Sequence, residues 1–239
     1  MSNAKNPYWQ QLACALDEFV QSVYWGDDIK PLQARKSLER GLVEITCFYQ
    51  HSSNGLLITE NGYFITAAHC LEDGVFLPQI KLHDGNRYYV EKVCVRGKRG
   101  NGSVDLVIAK AGMPGPCKPI KYKLFQNRKV ENANVAALAR KDGLVKCQYG
   151  LIESESSQRN SLDFCFFSDS TFRLSARDYF IIKYNDAVPG DSGGVIVGKD
   201  NDIIGLFSGK ASNADFSIGV KFFRALELIS IYACNVRKR

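Results

Sequence analysis

The sequence predicts an all-β fold, a barrel or a sandwich, with helical segments at both ends. Three observations carry this. Beyond residue 42 the apolar residues sit in short runs rich in Val, Ile, Phe and Tyr, separated by Gly, Asn, Asp and Ser. Residues 7–23 and 222–234 instead repeat apolar side chains at the period of an α-helix. A chain of 239 residues with a hydrophobic fraction of 45% is long and apolar enough to bury a large core in one or two domains.

Asn6-Pro7 starts the first helix, because Asn caps and Pro is tolerated in the first turn. Trp9, Leu12, Ala13, Leu16, Phe19, Val20 and Val23 then form an apolar stripe. Such a stripe needs a partner surface, and the body of this same chain is the expected one; a docking surface for another protein is the alternative. Gly26-Asp27-Asp28 stops the helix. Asp28 or a neighbour caps a second, from Pro31 to Arg40, with Gly41 as its stop. Strands are expected at Val43–Tyr49, Leu56–Thr59, Tyr63–Ala67, Tyr88–Arg96, Leu106–Lys110, Asn134–Ala139, Lys146–Ile152, Phe180–Lys183, Val195–Gly198, Ile203–Phe207 and Phe216–Val220. Gly112–Val130, rich in Pro, Gly and Lys, reads as a crossing between two units. Phe223, Leu226, Ile229 and Ala233 mark a terminal helix from Phe222 to Cys234.

Composition excludes several classes. The net charge is +6, but the densest basic stretches, Arg96-Gly97-Lys98-Arg99 and Arg237-Lys238-Arg239, read as a solvated loop and a terminus. No aromatic residues interleave with that charge, so no nucleic-acid partner is expected. The eight cysteines are scattered without a C-x-x-C pair, which argues against a zinc ribbon, and neither a metal nor another cofactor is expected. No apolar run approaches the roughly 20 residues of a membrane span. The N-terminus lacks the basic region and unbroken apolar stretch of a secretory signal. The chain therefore stays inside the cell, leaves by another route, or has had its signal removed.

The most informative stretch is A-V-P-G-D-S-G-G-V-I-V-G, residues 187–198. It sets one hydroxyl, Ser192, among glycines directly ahead of an apolar strand. A serine needs a base within hydrogen-bond reach to act as a nucleophile. All three histidines, His51, His69 and His83, precede it. That order excludes the G-x-S-x-G elbow of α/β-hydrolases, whose histidine follows the serine. His51 and His83 lie in polar loop contexts. His69 closes G-Y-F-I-T-A-A-H-C, a strand end with small residues that let the backbone pack closely. An imidazole base also needs an acceptor to fix its tautomer. Asp105, at the head of D-L-V-I-A-K, is a candidate, and a strand-start turn residue is its plainer role.

T-A-A-H-C, D-L-V-I-A-K and G-D-S-G-G, in that order, resemble the chymotrypsin-like (trypsin-fold) serine peptidases. G-L-L-I-T before G-Y-F-I-T is similar to the bacterial HtrA-type members, here without a PDZ domain following. The resemblance covers residues 41–234. It implies two six-stranded antiparallel β-barrels: residues 42–123 with His69 and Asp105, and residues 124–222 with Ser192. Residues 1–41 precede them as a helical extension, and residues 223–239 follow as a helix and basic tail. It further implies His69 as base, Asp105 as its orienter, Ser192 as nucleophile, and the N–H groups of Gly190 and Ser192 as an oxyanion hole. Ser208, Gly209 and Lys210 would line or rim the primary specificity pocket, with Gly219 on the strand closing it. Asp186, six positions before Ser192, falls at the pocket floor, where an acid selects Lys or Arg; a turn carboxylate paired with Lys210 or with backbone is the rival role.

Two departures from the family pattern matter. Counting back from His69 to the position of a commonly bridged cysteine reaches Asn54, and Val188 stands where another often sits. The usual disulfide frame is missing, so reduced thiols and an intracellular setting are expected. A bacterial effector exported without a signal into a host cytosol fits the same features. The new N-terminus that pairs with the Asp of G-D-S-G-G in secreted members is missing too. Asp191 must find another partner, a backbone N–H or a basic side chain, so that the chain folds directly into an active form. The implied function is a serine endopeptidase acting on protein or peptide through an acyl-enzyme. The alternatives are a quiescent trypsin-like fold that binds proteins, and a nonspecific esterase. Oligomeric state is left open.

Overall fold

The computed structural model describes residues 6–24, 29–47, 52–71, 77–97, 104–125, 130, 132–153, 161–165, 171–175, 178–184, 188, 190–210 and 216–239. Helix α1 spans Pro7–Tyr24 and opens where the sequence predicts, with the Tyr8 N–H donating to the side chain of Asn6. Helix α2 spans Pro31–Gly41, with Pro31 in its first turn and extended Lys30 before it. The proposed stop at Gly26-Asp27-Asp28, Asp28 cap included, lies outside the described residues. Gly41 is not a left-handed cap. It is the last helical residue, and a Cβ there would sit 1.7 Å from the Tyr122 hydroxyl. Close approach, not backbone freedom, explains this glycine.

Fourteen described strands follow: β1 (Leu42–Thr46), β2 (Ser52–Leu57), β3 (Tyr63–Thr66), β4 (Gln79–Lys81), β5 (Arg87–Arg96), β6 (Val107–Ala111), β7 (Asn134–Lys141), β8 (Leu144–Ile152), β9 (Ser161–Cys165), β10 (Thr171–Ser175), β11 (Tyr179–Tyr184), β12 (Val195–Val197), β13 (Ile203–Lys210) and β14 (Ser217–Lys221). Helix α3 (Phe222–Arg237) ends the chain. Strands β1-β2-β3-β6-β5-β4 close one antiparallel barrel, and β11-β14-β13-β12-β7-β8 close a second. The architecture is the expected pair of six-stranded barrels. The sequence reading lacked β4, β9 and β10. Strand β4 is three residues, Gln-Ile-Lys, too short to show a period. Among the described residues β9 and β10 pair with each other, in a sheet separate from the two barrels.

Alternation fills each barrel from its own strands. Val43, Ile45, Phe64, Ile80 and Val107 pack in the first, and Val135, Ala137, Phe180, Ile182 and Ile196 in the second. A third cluster lies between barrels and helices. There Leu12, Leu16 and Phe19 of α1 meet Leu226 and Ile229 of α3, together with Tyr63 and Tyr122. Each such apolar side chain, fully buried, contributes about 1.5–3 kcal/mol. Leu12, Ala13, Leu16 and Phe19 of the α1 stripe are thus buried within the molecule, and an ion pair between Arg237 and Asp17 ties the two helices at the surface.

The segment after β6 crosses between the barrels. Thr59 bridges Pro119 in the first and Leu124 bridges Ile203 in the second. Tyr122, midway, is fully buried and donates to the Leu57 carbonyl at 2.9 Å. Arg140 of β7 makes a second tie. Its guanidinium, almost fully buried, donates to the carbonyls of Glu39 in α2, Leu42 in β1 and Gly143 in the β7–β8 turn. Among the described residues no helix is long and apolar enough to cross a membrane.

Candidate active site

Pairing of β3 with β6 places the first two residues of interest together. Thr66 stands opposite Val107, so the residues just past Thr66 and just before Val107 meet at one barrel end. His69 lies there in a 3-10 turn (Ala68–Leu71), and Asp105 precedes β6. The His69 N–H donates to Asp105 Oδ1 at 3.1 Å, and His69 Nδ1 lies 2.8 Å from Oδ2. A carboxylate only accepts, so Nδ1 carries the proton and Nε2 is left as the basic nitrogen. Nε2 has the thiol of Cys70 at 3.8 Å.

Two groups of the second barrel complete the surroundings of Asp105. Ser208 donates to Oδ2 at 2.5 Å, and the Asp105 N–H donates to the Tyr179 hydroxyl at 2.8 Å. Burial would raise the Asp105 carboxyl, but the His69 charge and the hydrogen bonds it accepts from His69 and Ser208 hold it below its ordinary value. For His69, burial pulls the imidazole down. The Asp105 charge, with help from Cys70 and the hydrogen bonds, more than reverses this and leaves it well above its ordinary value. The His69 side chain keeps 21% of its surface exposed against 7% for Asp105, so solvent reaches the base and largely misses its orienter.

Ser192 comes from the second barrel, in the turn ahead of β12, and is partly exposed. Its loop is docked on the first barrel. The Asn54 N–H of β2 donates to the Ser192 carbonyl at 2.7 Å, and Asn54 Nδ2 donates to the Gly190 carbonyl at 2.8 Å. Gly193 has φ +78° and lies so close to β2 that a Cβ would meet the Asn54 carbonyl oxygen at 1.9 Å. Among the described residues no hydrogen bond joins the Ser192 hydroxyl to His69. The N–H groups of Gly190 and Ser192 have no acceptor among the described residues, whereas those of Asp191, Gly193 and Gly194 are all engaged. Asp191 is buried, and its Oδ2 accepts from the Val188 N–H and from Gln148 Nε2, each at 2.8 Å. Among the described residues its partners are a backbone N–H and a side-chain amide, and no basic group.

The remaining sequence candidates distribute differently. Ser208, assigned to the pocket wall, is fully buried, and a register shift between Phe207 and Gly209 marks a bulge that turns its hydroxyl to Asp105. At Gly219 a Cβ would run into Phe180 and Ile196 of the second barrel's interior, so close packing on that side accounts for the glycine. Gly209 is buried in β13, and Lys210 is exposed at its end. Asp186 lies outside the described residues, as does His51; His83 is exposed in a turn. The sequence reading missed Tyr179 and Gln148, because their contacts to Asp105 and Asp191 cross between distant strands. Seven cysteines, Cys14, Cys47, Cys70, Cys94, Cys117, Cys147 and Cys234, carry free thiols.

Comparison with known proteins bears on this arrangement. The family model described as Trypsin matches residues 29–229. Among solved structures the chain is similar to the inactive form of the Rv3671c protease, at 17% identity over 83% of this chain and 92% of that one, with a TM-score of 0.57. It is similar also to the active form of the Rv3671c protease from M. tuberculosis, at 16% identity over 82% of each chain, with a TM-score of 0.59. At such identities the likeness is one of fold. No curated protein matches the chain.

Proposed function

Because the chain belongs to the trypsin family, we propose that it is a serine endopeptidase, with Ser192 as nucleophile, His69 as general base and Asp105 as its orienter. The observation that carries this reading is the imidazole held through Nδ1 on a buried carboxylate, with the Ser192 loop tied to both barrels. In the reaction Ser192 Oγ attacks a peptide carbonyl as Nε2 takes its proton. Asp105 stabilises the imidazolium. The free N–H groups of Gly190 and Ser192 suit the oxyanion that forms. The imidazolium then protonates the leaving amine, and water, activated by the same nitrogen, hydrolyses the acyl-enzyme.

Labelling of Ser192 by a fluorophosphonate, together with digestion of a peptide library, tests the proposal. Ser192→Ala should abolish labelling and lower turnover by about 10⁴- to 10⁶-fold with the melting temperature unchanged. Near-normal turnover by that variant would remove Ser192 from the mechanism. The second reading, a quiescent fold that binds proteins, is favoured by one observation: Ser192 and His69 are not hydrogen-bonded as they stand. Apo sites often tighten only with substrate, so this does not displace the first reading. Absence of labelling in a folded protein would favour the second.

Specificity is the finer part of the proposal. Asp186, which the family resemblance sets at the pocket floor, supports a preference for Lys or Arg ahead of the scissile bond, since an acid there would bind such a cation strongly. Cleavage of matched peptides with Arg, Leu or Ala at that position, by wild type and Asp186→Ala, decides it. A wild-type preference for Leu or Ala, or an Arg preference that survives the substitution, would exclude Asp186 as selector.

A further inference from the structure

Asn54 makes four hydrogen bonds, and two of them hold the loop that carries Ser192. It is 1% exposed. Its N–H donates to the Ser192 carbonyl at 2.7 Å and its Nδ2 to the Gly190 carbonyl at 2.8 Å. Its Oδ1 accepts the Arg140 N–H at 2.6 Å, and its own carbonyl accepts the Thr66 hydroxyl at 2.5 Å. The orientation of the amide follows from chemistry. A backbone N–H only donates and a carbonyl only accepts, so oxygen must face Arg140 and nitrogen must face Gly190.

The residues it grips are Gly190 and Ser192, whose N–H groups have no acceptor of their own among the described residues. Gly190 has φ +103°, a conformation without side-chain restraint, so the peptide between Gly190 and Asp191 would turn at little steric cost. Both ends of that peptide are pinned: its oxygen by Asn54 Nδ2, and its N–H by the Val188 carbonyl at 3.2 Å. The next carbonyl but one, that of Ser192, is pinned by the Asn54 N–H. We propose that Asn54 is a positioning residue that sets the Gly190–Ser192 loop from the first barrel and so fixes the direction of its two N–H groups. This rests on the peptidase reading above. It assigns a cause to the loop's shape that is independent of any newly cut N-terminus.

Asn54→Asp isolates the contact. The shape is kept and an oxygen still faces the Arg140 N–H, but an acceptor now meets the Gly190 carbonyl. Asn54→Ser removes the contact without charge and serves where the Asp variant does not fold. Thr66→Val is the control, since it removes the bond to the Asn54 carbonyl and leaves both Asn54 bonds to the loop in place. The measurements are kcat and KM on a peptide substrate, the inhibition constant of a peptide aldehyde, whose adduct carries the oxyanion, and the melting temperature. Asn54→Asp and Asn54→Ser should lower kcat about tenfold to a hundredfold and weaken the aldehyde in proportion, with KM within about twofold. Thr66→Val should lower the melting temperature and leave kcat near wild type. Wild-type kcat in a folded Asn54 variant, or an equal loss of kcat in Thr66→Val, would overturn the proposal. Wild-type protein labelled at Ser192 by a fluorophosphonate keeps that failure distinct; if wild type is not labelled, the peptidase reading fails and this proposal with it.

Discussion

At His69 burial and charge act in opposite directions, and the Asp105 carboxylate prevails. Two pH dependences of opposite sign follow. The imidazole's folded value lies above the ordinary 6.5, so its stabilising pairing with Asp105 is complete below 6.5 and is lost as pH rises through the raised value. Activity needs Nε2 unprotonated, so kcat/KM should rise through that same raised value, with an acid limb centred above pH 6.5. Asp105→Asn removes the charge and leaves burial to act alone. Its acid limb should move to lower pH while the rate falls about 10⁴-fold. An acid limb at the same pH in both proteins would show that Asp105 does not tune His69. His69, Asp105 and Ser192 were legible in the sequence because each sits in a short local motif. The contacts made by Ser208, Tyr179 and Asn54 were not. They join residues far apart in the chain, and a bulge such as the one turning Ser208 leaves no mark on composition.

Element by element, legibility followed length and period. Helices α1 and α3 carry clear apolar stripes and were placed nearly to their ends. Strand β4 is too short to show a period. Gly41 was located as the end of α2 but for the wrong reason, because the Tyr122 hydroxyl that requires it comes from the distant crossing segment. Gly41→Ala should therefore act as an overpacking substitution and cost about 1–3 kcal/mol, read as a lower melting temperature. Tyr122→Phe removes the nearest clashing atom but also the hydrogen bond to Leu57, a loss of about 1 kcal/mol. The double variant should be less destabilised than the two single losses added together, since both act on one contact. Strict additivity in thermal unfolding would mean that α2 and the crossing segment are not coupled through this pair.

Across the whole molecule, chemistry assembled from two barrels depends on how firmly the barrels are joined. The family resemblance implied both barrels, but nothing in the sequence marked Arg140, one cation among many, as their clamp. Its three carbonyl partners, in α2, β1 and the β7–β8 turn, lie in different directions, which suits the planar fork of a guanidinium. Arg140→Met keeps the apolar stem and the backbone N–H that Asn54 accepts, but leaves those carbonyls without their donor. The loss should be about 3 kcal/mol. For a chain of this size that corresponds to about 6–12 °C in melting temperature. Lys should not restore it, because a single ammonium on a flexible stem cannot reach three divergent oxygens. Turnover well below the lowered melting temperature should stay close to wild type in both variants, since the Asn54 contact is preserved. Scanning calorimetry of wild type, Arg140→Met and Arg140→Lys, with turnover measured alongside, separates the alternatives. A Lys variant as stable as wild type would reduce Arg140 to a simple charge, and a large loss of turnover in a folded Met variant would mean that the clamp also shapes the site.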